Sequence, residues 1–185
     1  AIDYAVYANL QMRREDAARA LMARLPELSA RFDPRAVTGA APGSAGVFAL
    51  AAIPARWALE RDPRSDAAAL RPTSSAFPYT EAMTYLARAI GGARTGNAER
   101  VRESVDTLSA IHARLVAARE AYWSEQVAIQ QLSASAWLAL ARGRPDSALA
   151  LMRQAATRED ATEKAAVTPG PLAPPRGQLA EMLSE

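Results

Sequence analysis

The stretch Trp137-Leu138-Ala139-Leu140-Ala141-Arg142-Gly143-Arg144-Pro145-Asp146-Ser147-Ala148 decides the fold. An apolar, alanine-rich run ends on a glycine, and a proline follows two residues later. Gly143 suits the left-handed turn that closes a helix, and Pro145 suits the first turn of the next one. The stretch therefore predicts a helical hairpin, Trp123 to Arg142 followed by Pro145 to about Arg158, with Leu149, Met152 and Ala156 on the inner face of the second helix. The same punctuation stands upstream in Thr95-Gly96-Asn97-Ala98-Glu99-Arg100-Val101. There Glu81 to Arg94 predicts a helix, apolar at Met83, Leu86, Ala87 and Ile90. Asn97 can cap the next helix, which runs to about Arg119 with Val101, Val105, Leu108, Ile111 and Leu115 as its stripe. Small residues, Ala136 and Ala89, precede the two glycines where facing helices must approach closely.

The earlier chain reads less cleanly. Residues 2 to 25 predict two short helices, with Tyr4, Tyr7 and Leu10 and then Leu21, Met22 and Leu25 at helical spacing. Residues 26 to 46 contain Pro26, Pro34, Gly39, Pro42 and Gly43 and predict a long connection. Val47 to Glu60 predicts a helix that Pro54 kinks or restarts. Asp62-Pro63 opens a short helix ending near Leu70, and Pro78 suits another first turn. Residues 166 to 176, with Pro169, Pro171, Pro174 and Pro175, predict an extended or turned segment before a last short helix, Gln178 to Leu183. No segment alternates in the manner of a strand.

Composition points the same way. Of 185 residues, 50% are hydrophobic and only 6% aromatic, and about a quarter are alanine, the best helix former and a poor strand former. The expectation is an all-α protein. The absence of cysteine excludes disulfides, thiolate metal sites and cysteine nucleophiles. A Ser-His-Asp triad would have to use His112, the one histidine, and a zinc site would need carboxylates or another chain. His112 flanks the Leu108 and Leu115 stripe and reads as a partly buried, hydrogen-bonded residue. The carboxylates Glu81, Glu120, Glu125 and Glu163 read as solvated charges and caps, and Gly91-Gly92 forms no phosphate loop. No cofactor or metal is expected. Arginines supply all the basic charge except Lys164 and are interleaved with acids, giving a net charge of +2 and no basic stripe for nucleic acid. No apolar run is long enough for a membrane span. The chain opens on Ala1 without a start methionine or a signal-peptide pattern, which reads as a processed protein or a piece of a longer one.

The hairpins from Trp137 to Ala155 and from Tyr85 to Leu108 resemble the tetratricopeptide repeat. Ala18 and Asp66, following Arg13 and Arg61, mark two weaker copies in which arginine stands at the glycine position. The copies recur at intervals of about 35 to 48 residues, against about 34 for the usual repeat. The whole chain also resembles the C-terminal part of a bacterial family of longer tetratricopeptide proteins. That likeness rests on Ala51-Ala52-Ile53-Pro54-Ala55-Arg56, Ala76-Phe77-Pro78-Tyr79, Ala121-Tyr122-Trp123, Glu125-Gln126-Val127, Glu159-Asp160-Ala161-Thr162-Glu163-Lys164 and Val167-Thr168-Pro169-Gly170-Pro171. Members of that family carry His-Pro after the lysine, where this chain has Ala165-Ala166.

What the resemblance implies is a right-handed stack of about four helix pairs over residues 1 to 160, with residues 161 to 185 packed on it. The first helix of each pair would line a concave groove. Trp123, Gln126, Gln130, Ser133 and Trp137 share one helix face by steps of three and four. Aligned on the turns, Gln130, Ser133 and Trp137 would face the groove with Met83, Leu86, Ile90 and Arg94, and Tyr4, Tyr7, Phe48 and Ala52 would line it further back. The Lys/Asn clamp that holds C-terminal carboxylates in chaperone-binding repeats is missing. The expectation is a non-catalytic scaffold that binds a protein or peptide. The alternative is a ligand-binding or enzymatic domain with a polar pocket near Glu125, Gln126 and the proline-rich segment. An open groove with an exposed Trp137 would mark the first, and a deep pocket with convergent carboxylates the second. The groove is apolar and needs cover, so the proline-rich segment is expected to fold back near Trp123, Gln126 and Gln130.

Overall fold

A computed structural model describes residues 2–33, 43–61, 66–163 and 171–184. Among these residues the protein is all-helical and contains no strand. The helices are α1 (Ile2–Gln11), α2 (Glu15–Met22), α3 (Leu25–Arg31), α4 (Gly43–Arg61), α5 (Asp66–Ala69), α6 (Pro78–Arg94), α7 (Ala98–Ala117), α8 (Ala121–Ala141), α9 (Pro145–Asp160) and α10 (Pro175–Ser184). Helices α1, α4, α6 and α8 pack in succession as a row. Behind the row, α2 packs on α1, α5 on α4 and α6, α7 on α6 and α8, and α9 on α8, while α10 closes against α9.

Local chemistry accounts for the turns. Gly96 and Gly143 sit at φ +71° and +67°. In that left-handed conformation a Cβ is costly and glycine is not. Arg13, which stands at the glycine position of the first hairpin, adopts the same conformation at φ 56°, so the turn is conserved in geometry where its usual residue is absent. The Asn97 side chain accepts a hydrogen bond from the Arg100 backbone N–H at 3.0 Å and so caps α7. Pro145 occupies the first turn of α9.

The structure narrows one reading of the sequence and corrects another. The helix does not restart at Pro54: α4 runs from Gly43 to Arg61 with the proline inside it. The proline withholds one N–H, but Ala52, Ile53, Ala55 and Ala58 are buried on either side of it, and that packing holds the helix through the lost bond. The turn-rich stretch after Leu25 begins with a helix, α3, which carries Pro26 in its first turn. Residues 34–42, 62–65 and 164–170 of the stretches read above lie outside the described residues.

The core lies between α6, α7, α8 and α9. Val101, Leu108, Ile111 and Leu115 of the α7 stripe are all buried, as are Ala89 and Ala136 at the close approaches. α8 is buried on several sides, at Val127, Ile129, Ala134, Trp137 and Ala139, because α6, α7 and α9 surround it. Gly91, inside α6, serves helix contact. A Cβ there would come within 2.4 Å of the Ala68 backbone nitrogen and 2.9 Å of the Ala67 carbonyl carbon. The short α5 lies flat on this glycine, and Arg100 and Arg88 donate to the carbonyls of Ala68 and Leu70 at its end. Gly91→Ala should therefore lower stability by about 1–2 kcal/mol by forcing α5 outward, despite the helix-propensity gain. Gly177→Ala, with open space around the new methyl, should raise it by about 0.5–1 kcal/mol. Urea titrations of the two variants check the contrast.

Candidate functional site

Residues 171–175 cross the row and separate two cavities. The inner one has a volume of about 40 Å³ and lies between α4, α6, α8, α9 and this segment. Its aromatic wall is a stack. The Trp123 and Tyr79 rings lie parallel at 3.7 Å, Phe48 stacks on Trp123 at 6.1 Å, and Tyr122 meets it edge-on at 4.9 Å. Met83, Leu86, Gln126, Gln130 and Ser133 line the same cavity, so the structure brings these sequence-selected residues together with Trp123. Ser133 and Tyr79 are buried. The Ser133 hydroxyl, the Gln130 Oε1 and the Tyr79 hydroxyl have no hydrogen-bond partner.

Tyr79 has a measurable consequence. Burial, assisted by the negative charge of Glu120, pushes its phenol up to about 12. The unfolded chain releases this proton near pH 10. The contribution is therefore whole below pH 10 and is lost as pH rises towards about 12. Tyr79→Phe keeps the ring stack and removes a buried hydroxyl that bonds to nothing. It should leave stability at pH 7 unchanged or raise it by up to about 1 kcal/mol. It should also flatten the alkaline decline, measured by circular dichroism between pH 9 and 12.

Trp137 does not face an open groove. It is 1% exposed, and its indole N–H donates to Gln178 Oε1 of α10 at 2.8 Å. Gln178 in turn donates to the Ala173 carbonyl at 2.6 Å. Arg94 lies over the Trp137 ring at 5.8 Å and forms a two-bond fork to Glu181, Nε to Oε1 and Nη2 to Oε2, each 2.8 Å. Leu86 and Ile90 are each 2% exposed. The chain's own segment 171–184 thus covers the part of the row at α6 and α8. Covering apolar helix faces is what the hydrophobic effect favours.

Glu125 does not join the inner cavity. It pairs with Arg158 on the exposed side of α8 and α9. Glu81 accepts from the Ser75 backbone N–H, so the carboxylates singled out from the sequence do not converge. The carboxylate that does line the inner cavity is Glu159, buried at the end of α9. Its signal was present in the spacing: Met152, Ala155, Ala156 and Glu159 fall on one face of α9, all buried. His112 is half-buried on α7 and lines none of the cavities described.

The outer cavity is a groove of about 370 Å³ bounded by α1, α4, α6 and residues 171–181. Tyr4 and Tyr7 form its wall and are 54% and 41% exposed. Leu59 and Ile90 form its apolar floor, and Arg56, Glu60, Arg94 and Glu181 supply charge. Arg56 lies over the Tyr7 ring at 5.1 Å and places its Nε 3.4 Å from Asp3 Oδ1. Both partners are buried, and neither Asp3 oxygen accepts a hydrogen bond. Burial pushes the Asp3 carboxyl above its usual range, against the opposing pull of Arg56. The pair was not selected from the sequence, although Asp3 and Arg56 share helix faces with the buried Val6 and Ala52.

No group of three or more His, Cys, Asp or Glu side chains among the described residues is arranged to hold a metal ion. No helix among them is long and apolar enough to cross a membrane. Comparison with known protein families, curated proteins and solved structures finds no match to this chain.

Proposed function

We propose that this chain is a tetratricopeptide-like scaffold, a right-handed stack of helical hairpins that binds a polypeptide partner on the row formed by α1, α4, α6 and α8 and performs no catalysis of its own. The observation that carries this reading is how the row already holds a polypeptide. Residues 171–184 lie across α6 and α8, fixed by Trp137 to Gln178 and by Arg94 to Glu181. Beyond that segment the row continues as the outer groove, where two exposed tyrosines offer broad contact area with few rotatable bonds. The enzymatic alternative has less support, since Glu125 points away from the inner cavity and the carboxylates do not gather.

A random peptide library selected on the full chain tests the proposal. Enriched peptides should bind the Tyr4→Ala/Tyr7→Ala variant at least about tenfold more weakly, because each aromatic contact is worth a kcal/mol or more. Binders whose affinity ignores both tyrosines would contradict it.

A further inference from the structure

Helix α10 is weaker than its surroundings require. It has ten residues, fewer than an isolated helix needs to hold itself in water. Gly177 sits inside it, where glycine disfavours the helix relative to alanine. No atom lies within 4 Å of where a Cβ would stand, and the backbone there is not left-handed. Neither a turn nor a close approach therefore calls for glycine. The helix packs chiefly on α9. It reaches the row through single side chains: Gln178 accepts from the Trp137 indole N–H of α8, and Glu181 accepts the Arg94 fork of α6. Two apolar anchors complete the hold. Leu172 packs in a cluster with Phe48 and Met83, and Met182 joins the main core. The recognition pattern is thus a leucine, a glutamine six residues on, a glutamate three further and a methionine next to it. One short stretch of chain supplies all four contacts, and another polypeptide with that pattern can make them equally well.

We propose that residues 171–184 are an internal latch on the α6–α8 end of the row, displaced by a partner polypeptide that carries the same leucine, glutamine, glutamate and methionine pattern. This rests on the polypeptide-binding reading above and adds the partner's chemistry and a brake on its binding. The tethered segment competes at high effective concentration. A partner binds only the chains whose latch is open, so its apparent affinity falls with the open fraction. A peptide seated on Tyr4 and Tyr7 alone leaves the latch docked.

The probe is an acetylated, amidated peptide with the sequence of residues 171–184, titrated into the full chain while the Trp137 indole N–H signal is followed by NMR. Three chains are compared: wild type, Gly177→Ala, and Gln178→Ala/Glu181→Ala, each checked by circular dichroism for retained helix. The double variant loosens the latch and leaves the row intact. It should bind the peptide at least about tenfold more tightly than wild type. In it, the peptide's own glutamine should return the Trp137 signal towards its wild-type position. Gly177→Ala strengthens the docked helix and should bind the peptide about two- to fivefold more weakly than wild type, a shift that a misfolded chain would not produce. Equal affinity in all three chains, or binding to the double variant that leaves its Trp137 signal in place, would overturn the proposal. No binding by the double variant would overturn it too. Library peptides that still depend on Tyr4 and Tyr7 would then leave the polypeptide-binding reading standing, and their absence would overturn both.

Discussion

Trp137→Ala lowers the free energy of unfolding by about 3–5 kcal/mol. The indole is 1% exposed and belongs to the main core cluster with Ile90, Val101 and Ala134. Removing it leaves a cavity that the surrounding helices fill only in part. It also strips the partner from Gln178, a residue 4% exposed that anchors α10. Trp137→Phe separates the two effects. It retains much of the apolar volume but loses the N–H and part of the ring, so it should cost about 1–3 kcal/mol, less than the alanine variant. Urea unfolding followed by circular dichroism reads both. The alanine variant should in addition be cleaved by protease after Arg176, at enzyme concentrations that leave the wild type intact. A loss below about 1 kcal/mol for Trp137→Ala would mean that the 171–184 segment is not held as described.

The second large effect concerns Asp3 and Arg56. Removing either side chain alone leaves the other charge buried without a counter-charge, so Asp3→Ala and Arg56→Ala should each cost about 3–5 kcal/mol. Replacing both, as Asp3→Leu/Arg56→Met, should come within about 1 kcal/mol of wild type or exceed it, because poorly bonded buried pairs often contribute less than apolar residues of similar size. The wild-type pair has a 3.4 Å contact and no hydrogen bond on either Asp3 oxygen. The pH dependence follows from the raised Asp3 carboxyl. Its contribution is whole below the ordinary carboxylate pKa and declines as pH rises through the folded value. Subtracting the Asp3→Asn stability profile from that of wild type between pH 3 and 7 should expose this decline. Additive single losses in the double variant would show that the two side chains do not act as a pair.

These expectations also mark where sequence reasoning reached. The hairpin turns were legible because Gly143, Pro145 and Asn97 each have one strongly preferred role at a helix end. The left-handed turn at Arg13 was placed only by analogy, since no local preference favours arginine there. That α4 runs through Pro54 without restarting was one of two alternatives the sequence left open, because the packing on both sides of the proline that offsets its local penalty is tertiary. In the candidate site, the face shared by Trp123, Gln126, Gln130 and Ser133 follows from helix geometry alone and appears as the wall of the inner cavity. Which face stays open does not follow from periodicity. Segment 171–184 covers Trp137 and Ile90, and the uncovered aromatics are Tyr4 and Tyr7, a long way off in sequence. The Asp3 and Arg56 pair depends on the packing of α1 against α4, a contact between helices about fifty residues apart in sequence with α2 and α3 between them.

Hydrogen exchange of the full chain, followed by mass spectrometry with and without a peptide enriched from the random library, tests the central claim most directly. Bound peptide should slow exchange in α1 and α4 around Tyr4, Tyr7 and Arg56 and in residues 171–181, which border the outer groove. The outward helices α7 and α9 should be unchanged. Protection confined to α7 and α9, or absent from α1 and α4 at saturating peptide, would contradict the account.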